Sequence, residues 1–192
     1  MPADHFRLAF ICTGNRFRSP LAAAVAADAV AGLPVTVESA GLLELGEVGA
    51  LIEAIDAGRV FGVDLAAHRC RRLAPGSLTG TDLVIGFERK HLNAAIADGA
   101  ASVAHVFTLP EAVSLLDRVD RPTDSEPVAR ARALVRSAHE VRANLTQQPP
   151  GEIPDPLGQA DSLQRKIAGS VADLSKRLAA ALFDSTGRIT PP

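Results

Sequence analysis

Cys12 and Arg18 lie near the start of the chain with five residues between them, and Ser19 and Pro20 follow directly. A loop of this length can curl until its backbone N–H groups surround a tetrahedral oxyanion, and the planar guanidinium of Arg18 can close the ring. A cysteine at the base of the ring faces N–H dipoles and a cation, which favour its thiolate. The spacing therefore predicts that Cys12 attacks a bound tetrahedral anion as a nucleophile.

The residues on either side place this loop between a strand and a helix. An apolar run ending at Cys12 is typical of a buried strand, and the alanine-rich segment after Pro20 favours a helix. We expect Ser19 to be the N-cap of that helix, Pro20 its first residue and Gly32 one of the residues that end it. A helix N-terminus presents free N–H groups to an anion, in agreement with the predicted chemistry.

Strands and helices alternate along the rest of the chain. The patterns predict further strands over residues 35–39, 82–87 and 102–107. They predict helices over residues 50–60, 88–99, 110–119, 128–145 and 161–183. This is an α/β fold: a doubly wound four-stranded parallel sheet with helices on both faces, forming one domain over residues 1–183 before a loose tail, 184–192. Ligands of such sheets bind at the carboxyl ends of the strands, where Cys12 lies.

Composition narrows the class of protein. The chain has 192 residues and a net charge of −2, which does not suggest a nucleic-acid partner. No apolar run is long enough to cross a bilayer and no signal peptide is recognised, so a membrane partner is not expected. Two cysteines suit a reducing cytoplasm, and the abundance of Ala and Arg is typical of a GC-rich bacterial genome. The oligomeric state cannot be read from these features.

The loop, Cys12-Thr-Gly-Asn-Arg-Phe-Arg-Ser19-Pro20, resembles the signature of the low-molecular-weight protein tyrosine phosphatases. Related arsenate reductases share that scaffold. The resemblance implies a cysteine-dependent phosphomonoesterase that forms a phosphocysteine intermediate and needs no metal or cofactor. It implies that the substrate is a phosphorylated protein or a small phosphomonoester. The loop positions that the resemblance assigns to phosphate binding or to support of the loop are Thr13, Gly14, Asn15, Arg16, Phe17 and Ser19.

Three later segments extend the resemblance. Ser39, in a Ser-Ala-Gly segment, is implied to hydrogen-bond to Asn15, and His68 is implied to join Asn15, Ser19 and Ser39 in a network that holds the loop. Asp155, in an Asp-Pro pair before the last helix, is implied to be the general acid that protonates the leaving group. Glu88 loosely matches an acidic position of the family, and the resemblance thins over residues 109–148.

Other features leave the substrate open. Where relatives often carry aromatic residues, this chain has Leu42, Leu43 and Leu45 before the second helix and Leu157 after Asp155. Selectivity for phosphotyrosine is therefore not implied. An arginine at position 16, in the loop, would favour an acidic or additionally phosphorylated substrate.

Two alternatives to the phosphatase stay open. An arsenate reductase would bind a tetrahedral oxyanion in the same loop but needs further thiols, and Cys70 is the only other cysteine. We interpret Cys70 as a buried apolar residue rather than a redox partner. A non-catalytic phosphate-binding module is the second alternative. The arginines of the helix over residues 128–145 are interpreted as a solvated face rather than an anion site.

Overall fold

The computed structural model describes residues 5–120, 122, 126–145 and 151–184. Its strands are β1 (Phe6–Cys12), β2 (Val35–Gly41), β3 (Leu83–Gly86) and β4 (Val106–Thr108). Its helices are α1 (Arg18–Ala29), α2 (Ile52–Val60), α3 (Arg89–Ala97), α4 (Leu109–Leu116), α5 (Pro127–Asn144) and α6 (Asp161–Phe183). A short 3-10 turn, Val103–His105, precedes β4.

The four strands form one parallel sheet in the order β2-β1-β3-β4. Cys12, the last residue of β1, pairs with Gly41 at the end of β2, and Ile11 pairs with Gly86 at the end of β3. The chain leaves β1 toward β2 on one side and later returns to β3 on the other. Cys12 therefore lies at the point where the winding direction reverses, the usual ligand crevice of such sheets.

Alternation along β1 divides the core between two layers, because successive side chains of a strand point to opposite faces. Leu8 and Phe10 belong to the larger cluster, which α1, α4, α5 and α6 complete. Ala9 and Ile11 belong to the smaller cluster, which α3 and the segment before β3 cover. The predicted doubly wound sheet with helices on both faces is confirmed.

The start of α1 differs from the prediction. The helix begins at Arg18 with Phe17 in the N-cap position, so Ser19 is not the N-cap. The hydroxyl of Ser19 is directed instead toward Cys12 and Asn15, which lie 3.0 Å and 2.9 Å away. The helix also ends at Ala29, before the expected stop at Gly32.

The predicted fourth strand is shorter and later than expected. Residues 103–105 form a 3-10 turn, and the strand covers only residues 106–108. Thr108 ends the strand and at the same time caps α4, since its hydroxyl accepts from the N–H of Glu111. The helix predicted over residues 110–119 therefore begins at Leu109 and ends at Leu116.

Three of the four arginines of α5 do not lie on a solvated face, so that interpretation was wrong for them; Arg136 alone of the four is exposed. Arg130 is buried and donates to the carbonyl of Phe183, and Arg132 binds Asp82. The guanidinium of Arg142 lies 4.2 Å from the ring centroid of Phe107. Planar, weakly hydrated guanidinium groups can satisfy carbonyls and stack on rings inside a protein, so these arginines join α5 to the body of the fold.

Several predictions concern residues outside the described ranges. Residues 121 and 123–125, between α4 and α5, lie outside the described ranges, and of the tail predicted over residues 184–192 only Asp184 is described. The assignment of residues 1–183 to one domain stays a prediction. Among the described residues, none of the helices has both the length and the apolar character required to cross a bilayer. The same ranges hold no cluster of His, Cys, Asp or Glu side chains arranged to bind a metal ion.

Candidate active site

The β1–α1 loop, residues 12–18, is held in shape by Asn15. This residue is fully buried and has a φ of 52°, in the left-handed region that asparagine tolerates better than most residues. Its side-chain N–H group donates to the hydroxyls of Ser19 and Ser39, both at 2.9 Å, and its side-chain oxygen accepts from the N–H of Arg71 at 2.9 Å. One side chain thus joins the loop to α1, to the end of β2 and to the segment before β3.

Gly41 leaves room for this arrangement. A Cβ at position 41 would lie 2.7 Å from the backbone nitrogen of Asn15 and 2.8 Å from the carbonyl carbon of Gly14. Both contacts are to backbone, which cannot turn aside as a flexible side chain can. Glycine at the end of β2 is therefore required for the loop to lie against the sheet.

The carbonyl groups of the loop point outward, where other segments donate to them. The carbonyl of Thr13 accepts from the N–H groups of Leu42 at 2.8 Å and Leu43 at 3.0 Å, and that of Arg16 accepts from Leu51 at 2.9 Å. In a trans peptide the carbonyl and the following N–H point in opposite directions. The N–H groups that follow these carbonyls are therefore directed toward the inside of the loop.

Those inward N–H groups have no protein acceptor within the described part of the chain. No described residue accepts from the backbone N–H of any of five successive residues, Thr13, Gly14, Asn15, Arg16 and Phe17. Unpaired backbone donors are rare in folded proteins, and a ring of them is an anion site. The dipole of α1, which begins at the next residue, adds to the same field.

Cys12 lies at the base of this ring. It is buried, and its Sγ is 3.0 Å from the Oγ of Ser19. Ser19 already accepts from Asn15, so its own hydrogen is available to the sulfur or to the carbonyl of Ala40, which is further away at 3.3 Å. The arrangement can stabilise a thiolate at Cys12 with a hydroxyl hydrogen bond.

Arg18 is nearly fully buried, with 1% of its surface exposed, and two carboxylates compensate its charge. One terminal nitrogen donates to Glu88 at 2.5 Å and to the carbonyl of Ile153 at 3.0 Å. The other donates to Asp155 at 2.5 Å. The two carboxylates come from distant parts of the chain and together hold Arg18 in place. Removing either one would leave a buried cation partly uncompensated.

Glu88 and Asp155 differ in their surroundings. Burial raises the pKa of Glu88, but hydrogen bonds from Arg18 and Lys90 outweigh it and hold the pKa below its ordinary value. The side chain of Asp155 is twice as exposed, 39% against 19% for Glu88. Glu88 is thus a fixed, ionised partner of Arg18, whereas Asp155 lies on the more open side of the guanidinium.

His91 approaches the loop beside Arg18, since both lie near the hydroxyl of Thr13 and the carboxylate of Glu88. Its Nδ1 accepts from the backbone N–H groups of Phe87 at 3.2 Å and Glu88 at 3.0 Å, so the proton of the neutral ring is on Nε2. Nε2 donates to the hydroxyl of Thr13 at 3.1 Å. Burial, followed by the charge of Arg18, lowers the pKa of His91 to about 4, so the ring stays neutral at physiological pH.

His68 and Cys70 hold the outer side of the loop. The Nε2 of His68 lies 2.7 Å from the backbone carbonyl of Asn15, and the Sγ of Cys70 lies 3.2 Å from the same oxygen. Burial lowers the pKa of His68, despite this hydrogen bond, and burial raises that of the Cys70 thiol. Both groups are therefore donors: a neutral imidazole and a protonated thiol.

His68 joins the expected network through the backbone carbonyl of Asn15, whose side chain binds Ser19 and Ser39. The placement of Cys70 corrects a prediction. Cys70 is only partly buried and hydrogen-bonds to a carbonyl, so it is not an inert apolar core residue. The remaining contact predicted for Ser39, to Asn15, is present.

Leucines form the walls of the mouth. A Cβ at Gly14 would lie 3.5 Å from a terminal methyl of Leu45, so that side chain lies over the loop. Leu157, whose N–H donates to the carboxylate of Asp155, is 69% exposed on the other side. Arg16 is turned aside, because its Nε donates to the carbonyl of Gly49 at 3.1 Å.

Sequence reasoning singled out most of this cluster but missed two contacts. Glu88 was matched only loosely, and His91 was assigned to a helix without any role. The sequence feature that could have revealed both residues is an acidic residue shortly after β3 followed three positions later by a histidine. In the structure these two residues, Glu88 and His91, form a capping box at the start of α3. Their contact with the β1–α1 loop depends on β3 lying beside β1, which the local pattern does not specify.

The profile of the low molecular weight phosphotyrosine protein phosphatases matches residues 7–148. The chain belongs to that family, and it is a cysteine-dependent phosphatase. The match runs through residues 109–148, where the resemblance was expected to thin, and it ends before Asp155. Comparison with curated protein sequences gave no match.

Solved structures with the same fold include several phosphatases. A low molecular weight protein tyrosine phosphatase from T. tengcongensis is 24% identical, with a TM-score of 0.64 over 90% of this chain and 97% of that one. The YwlE arginine phosphatase from Geobacillus stearothermophilus is 25% identical, with a TM-score of 0.65 over 91% and 90%. The tyrosine phosphatase Wzb from Escherichia coli K30, in complex with sulphate, is 20% identical, with a TM-score of 0.63 over 91% and 96%.

Proposed function

We propose that this phosphatase transfers the phosphoryl group to Cys12 in a first step. The inward N–H groups and Arg18 bind the three non-bridging oxygens, and the thiolate attacks phosphorus opposite the leaving group. The P–O ester bond breaks as the S–P bond forms, and the carboxylic acid of Asp155 gives its proton to the departing oxygen.

In the second step water hydrolyses the phosphocysteine. Asp155, now a carboxylate, takes a proton from the water, whose oxygen bonds to phosphorus while the S–P bond breaks. The hydroxyl of Ser19, 3.0 Å from the sulfur, stabilises the thiolate that leaves. Inorganic phosphate departs, and Cys12 and Asp155 return to their starting forms.

Asp155 and the substrate compete for Arg18 in this scheme. In the present structure Asp155 occupies the open side of the guanidinium at 2.5 Å, while Glu88 and the carbonyl of Ile153 hold the other nitrogen. A phosphate dianion pairs with a guanidinium through two parallel hydrogen bonds. We infer that substrate displaces Asp155 toward the leaving group and leaves the contact with Glu88 intact.

The observation that carries this proposal is the ring of unpartnered N–H groups above Cys12. The backbone N–H groups of five successive residues, 13–17, meet no acceptor in the described chain, and a buried guanidinium lies beside them. A loop that served only to connect β1 and α1 would be expected to pair most of these groups with protein atoms.

The test is hydrolysis of para-nitrophenyl phosphate without added metal. We expect turnover by the native protein, none by Cys12→Ser, and a kcat lowered about 10²- to 10⁴-fold in Asp155→Asn, the usual loss of a general acid. Glu152→Gln is the matched control, since Glu152 lies on the same loop but binds the N–H of Arg89. Equal rates for Asp155→Asn and Glu152→Gln would contradict the role of Asp155.

The substrate we propose is a phosphorylated protein side chain, and two kinds are supported. Family membership favours phosphotyrosine. The leucines at positions 45 and 157, which offer no ring for stacking, and the likeness to an arginine phosphatase favour phosphoarginine as a second candidate. Relative kcat/KM for phosphotyrosine, phosphoserine and phosphoarginine decides between them, and thiol-dependent production of arsenite from arsenate would favour a reductase instead.

We also propose that the enzyme works in the reducing cytoplasm. Cys12 and Cys70 are both free thiols, and the nucleophile must stay reduced to act. A non-catalytic phosphate-binding module remains distinguishable, because it would bind phosphate equally in the native protein and in Cys12→Ser, with no turnover in either.

A further inference from the structure

Exposed aliphatic side chains are concentrated around the mouth of the site. The described residues include eight large hydrophobic side chains that are exposed, and six of them lie on two segments, residues 43–52 and 157–163. These six are Leu43, Leu45, Val48, Ile52, Leu157 and Leu163, which we call the aliphatic rim. Single exposed hydrophobic residues are ordinary, but a concentration of them marks an interaction surface.

Both segments are attached directly to the groups that bind phosphate. The first donates from Leu43 to the carbonyl of Thr13 and from Leu51 to that of Arg16. The second follows Ile153 and Asp155, which accept from Arg18, and the N–H of Leu157 joins it to the carboxylate of Asp155. The segments that carry the aliphatic rim are therefore attached to the place where a phosphorylated side chain enters.

A cavity of about 300 Å³ adjoins the two segments. It lies between the first turns of α2 and α6 and reaches Phe17, next to Arg18. Its lining is Phe17, Glu53, Asp56, Ala57, Asp161, Gln164, Arg165 and Ala168. Asp56 is paired with Arg59, whereas Glu53 and Asp161 have no partner among the described residues.

The lining thus combines an apolar floor with unpaired negative charge. Three carboxylates and the guanidinium of Arg165 line the cavity. One of the carboxylates, that of Asp56, is paired with Arg59, which is not part of the lining. A side chain with an aliphatic stem and a cationic end, that of lysine or arginine, matches both parts of this lining. A neutral or acidic side chain would match only the apolar part of the lining.

We propose that the aliphatic rim and this cavity form a docking surface for a phosphorylated polypeptide. The segment that fits has aliphatic residues beside the phosphorylated one and a lysine or arginine that reaches the cavity. A small phosphomonoester would occupy the β1–α1 loop and leave the rim exposed to water. The inference rests on the proposed phosphatase function and narrows its substrate to polypeptides with these flanking residues.

The test compares two phosphopeptides that carry the phosphorylated residue which the enzyme turns over fastest. One has Leu, Ile and Lys on its flanks, and the other has Ser and Gly in the same places. We expect the first to have a kcat/KM at least about tenfold higher, from burial of two aliphatic side chains and pairing of one cation. Ile52→Ser and Glu53→Gln should each reduce that ratio about threefold or more, while hydrolysis of para-nitrophenyl phosphate stays unchanged.

Val103→Ser is the matched control, because Val103 is an exposed aliphatic residue in the turn before β4, at the other end of the sheet. It should change neither the ratio nor the basal activity. A ratio near one, or a high ratio that Ile52→Ser and Glu53→Gln leave intact, would overturn the docking surface but would not contradict the proposed phosphatase activity.

Sedimentation analysis adds one further outcome: a dimer that Ile52→Ser dissociates would assign the rim to a second copy of the chain and overturn the proposal. Loss of para-nitrophenyl phosphate hydrolysis in the native protein would instead contradict the proposed function.

Discussion

Acid should destabilise this protein through His91 before it protonates most carboxylates. The ring accepts two backbone N–H bonds at Nδ1 and is fully buried. Burial, and after it the charge of Arg18, hold the pKa at about 4 against an ordinary value of 6.5. A histidine whose pKa is lowered by folding favours the folded state while it is neutral. That stabilisation is complete above pH 6.5 and is lost as the pH falls toward 4.

The size of the effect follows from the two pKa values. A difference of one unit corresponds to about 1.4 kcal/mol, so the complete loss, reached well below pH 4, is about 3 kcal/mol. Between pH 7 and pH 5 the loss is about 2 kcal/mol. This is a large part of the 5–15 kcal/mol that stabilises ordinary domains, and it comes from one side chain.

Urea unfolding at pH 7, 6 and 5 measures this loss, with His91→Gln as the comparison. The variant lacks the titrating ring, so it should be the less stable protein at pH 7, and the gap to the native protein should narrow by about 2 kcal/mol at pH 5. Other titrating groups, among them His68, are common to both proteins and cancel in the difference. A gap of the same size at pH 7 and pH 5 would refute the assignment of a neutral, doubly accepting His91.

Four further substitutions test the loop, its supports and two positions away from the site. Gly41→Ala places a Cβ 2.7 Å from the nitrogen of Asn15, so it should lower both activity and melting temperature. Gly169→Ala in α6, where no atom lies within 4 Å, should instead raise stability by about 0.5–1 kcal/mol. Arg18→Lys loses the planar fork that Glu88 and Asp155 hold, and its kcat/KM should fall at least about 100-fold in the para-nitrophenyl phosphate assay. Arg132→Met removes a partly buried ion pair with Asp82 and a hydrogen bond to the carbonyl of His5, and should cost at least about 1 kcal/mol in urea unfolding, with kcat unchanged; a loss of activity at native stability would contradict that purely structural role.

The parts of the site that were predictable from sequence are local in the chain. Cys12 and Arg18 belong to one loop, and the strand before it and the helix after it have clear patterns, so their juxtaposition requires only short-range folding. The parallel sheet with helices on both faces followed because alternating strands and helices have few topologies. Asp155 was placed by its position before the last helix, and the structure brings it to Arg18.

What the sequence did not reveal depends on contacts between distant segments. Glu88 and His91 reach the loop only because β3 lies beside β1, and their local pattern is that of any helix start. Ser19 was expected to cap α1, since nothing local indicates that Asn15 would turn its side chain back onto that hydroxyl. The arginines of α5 were interpreted as solvated because charge suggests water, whereas the guanidinium groups of Arg130, Arg132 and Arg142 are satisfied by carbonyls, Asp82 and the ring of Phe107.

The most direct test is to find the phosphoryl group on the enzyme during turnover. The native protein is mixed with substrate, quenched in acid within a single turnover and digested, and the peptides are analysed by mass spectrometry. The account predicts one phosphoryl group on the peptide that contains Cys12, formed and lost at rates consistent with kcat, and none in Cys12→Ser. Phosphate on a different residue, or steady turnover by Cys12→Ser, would contradict it.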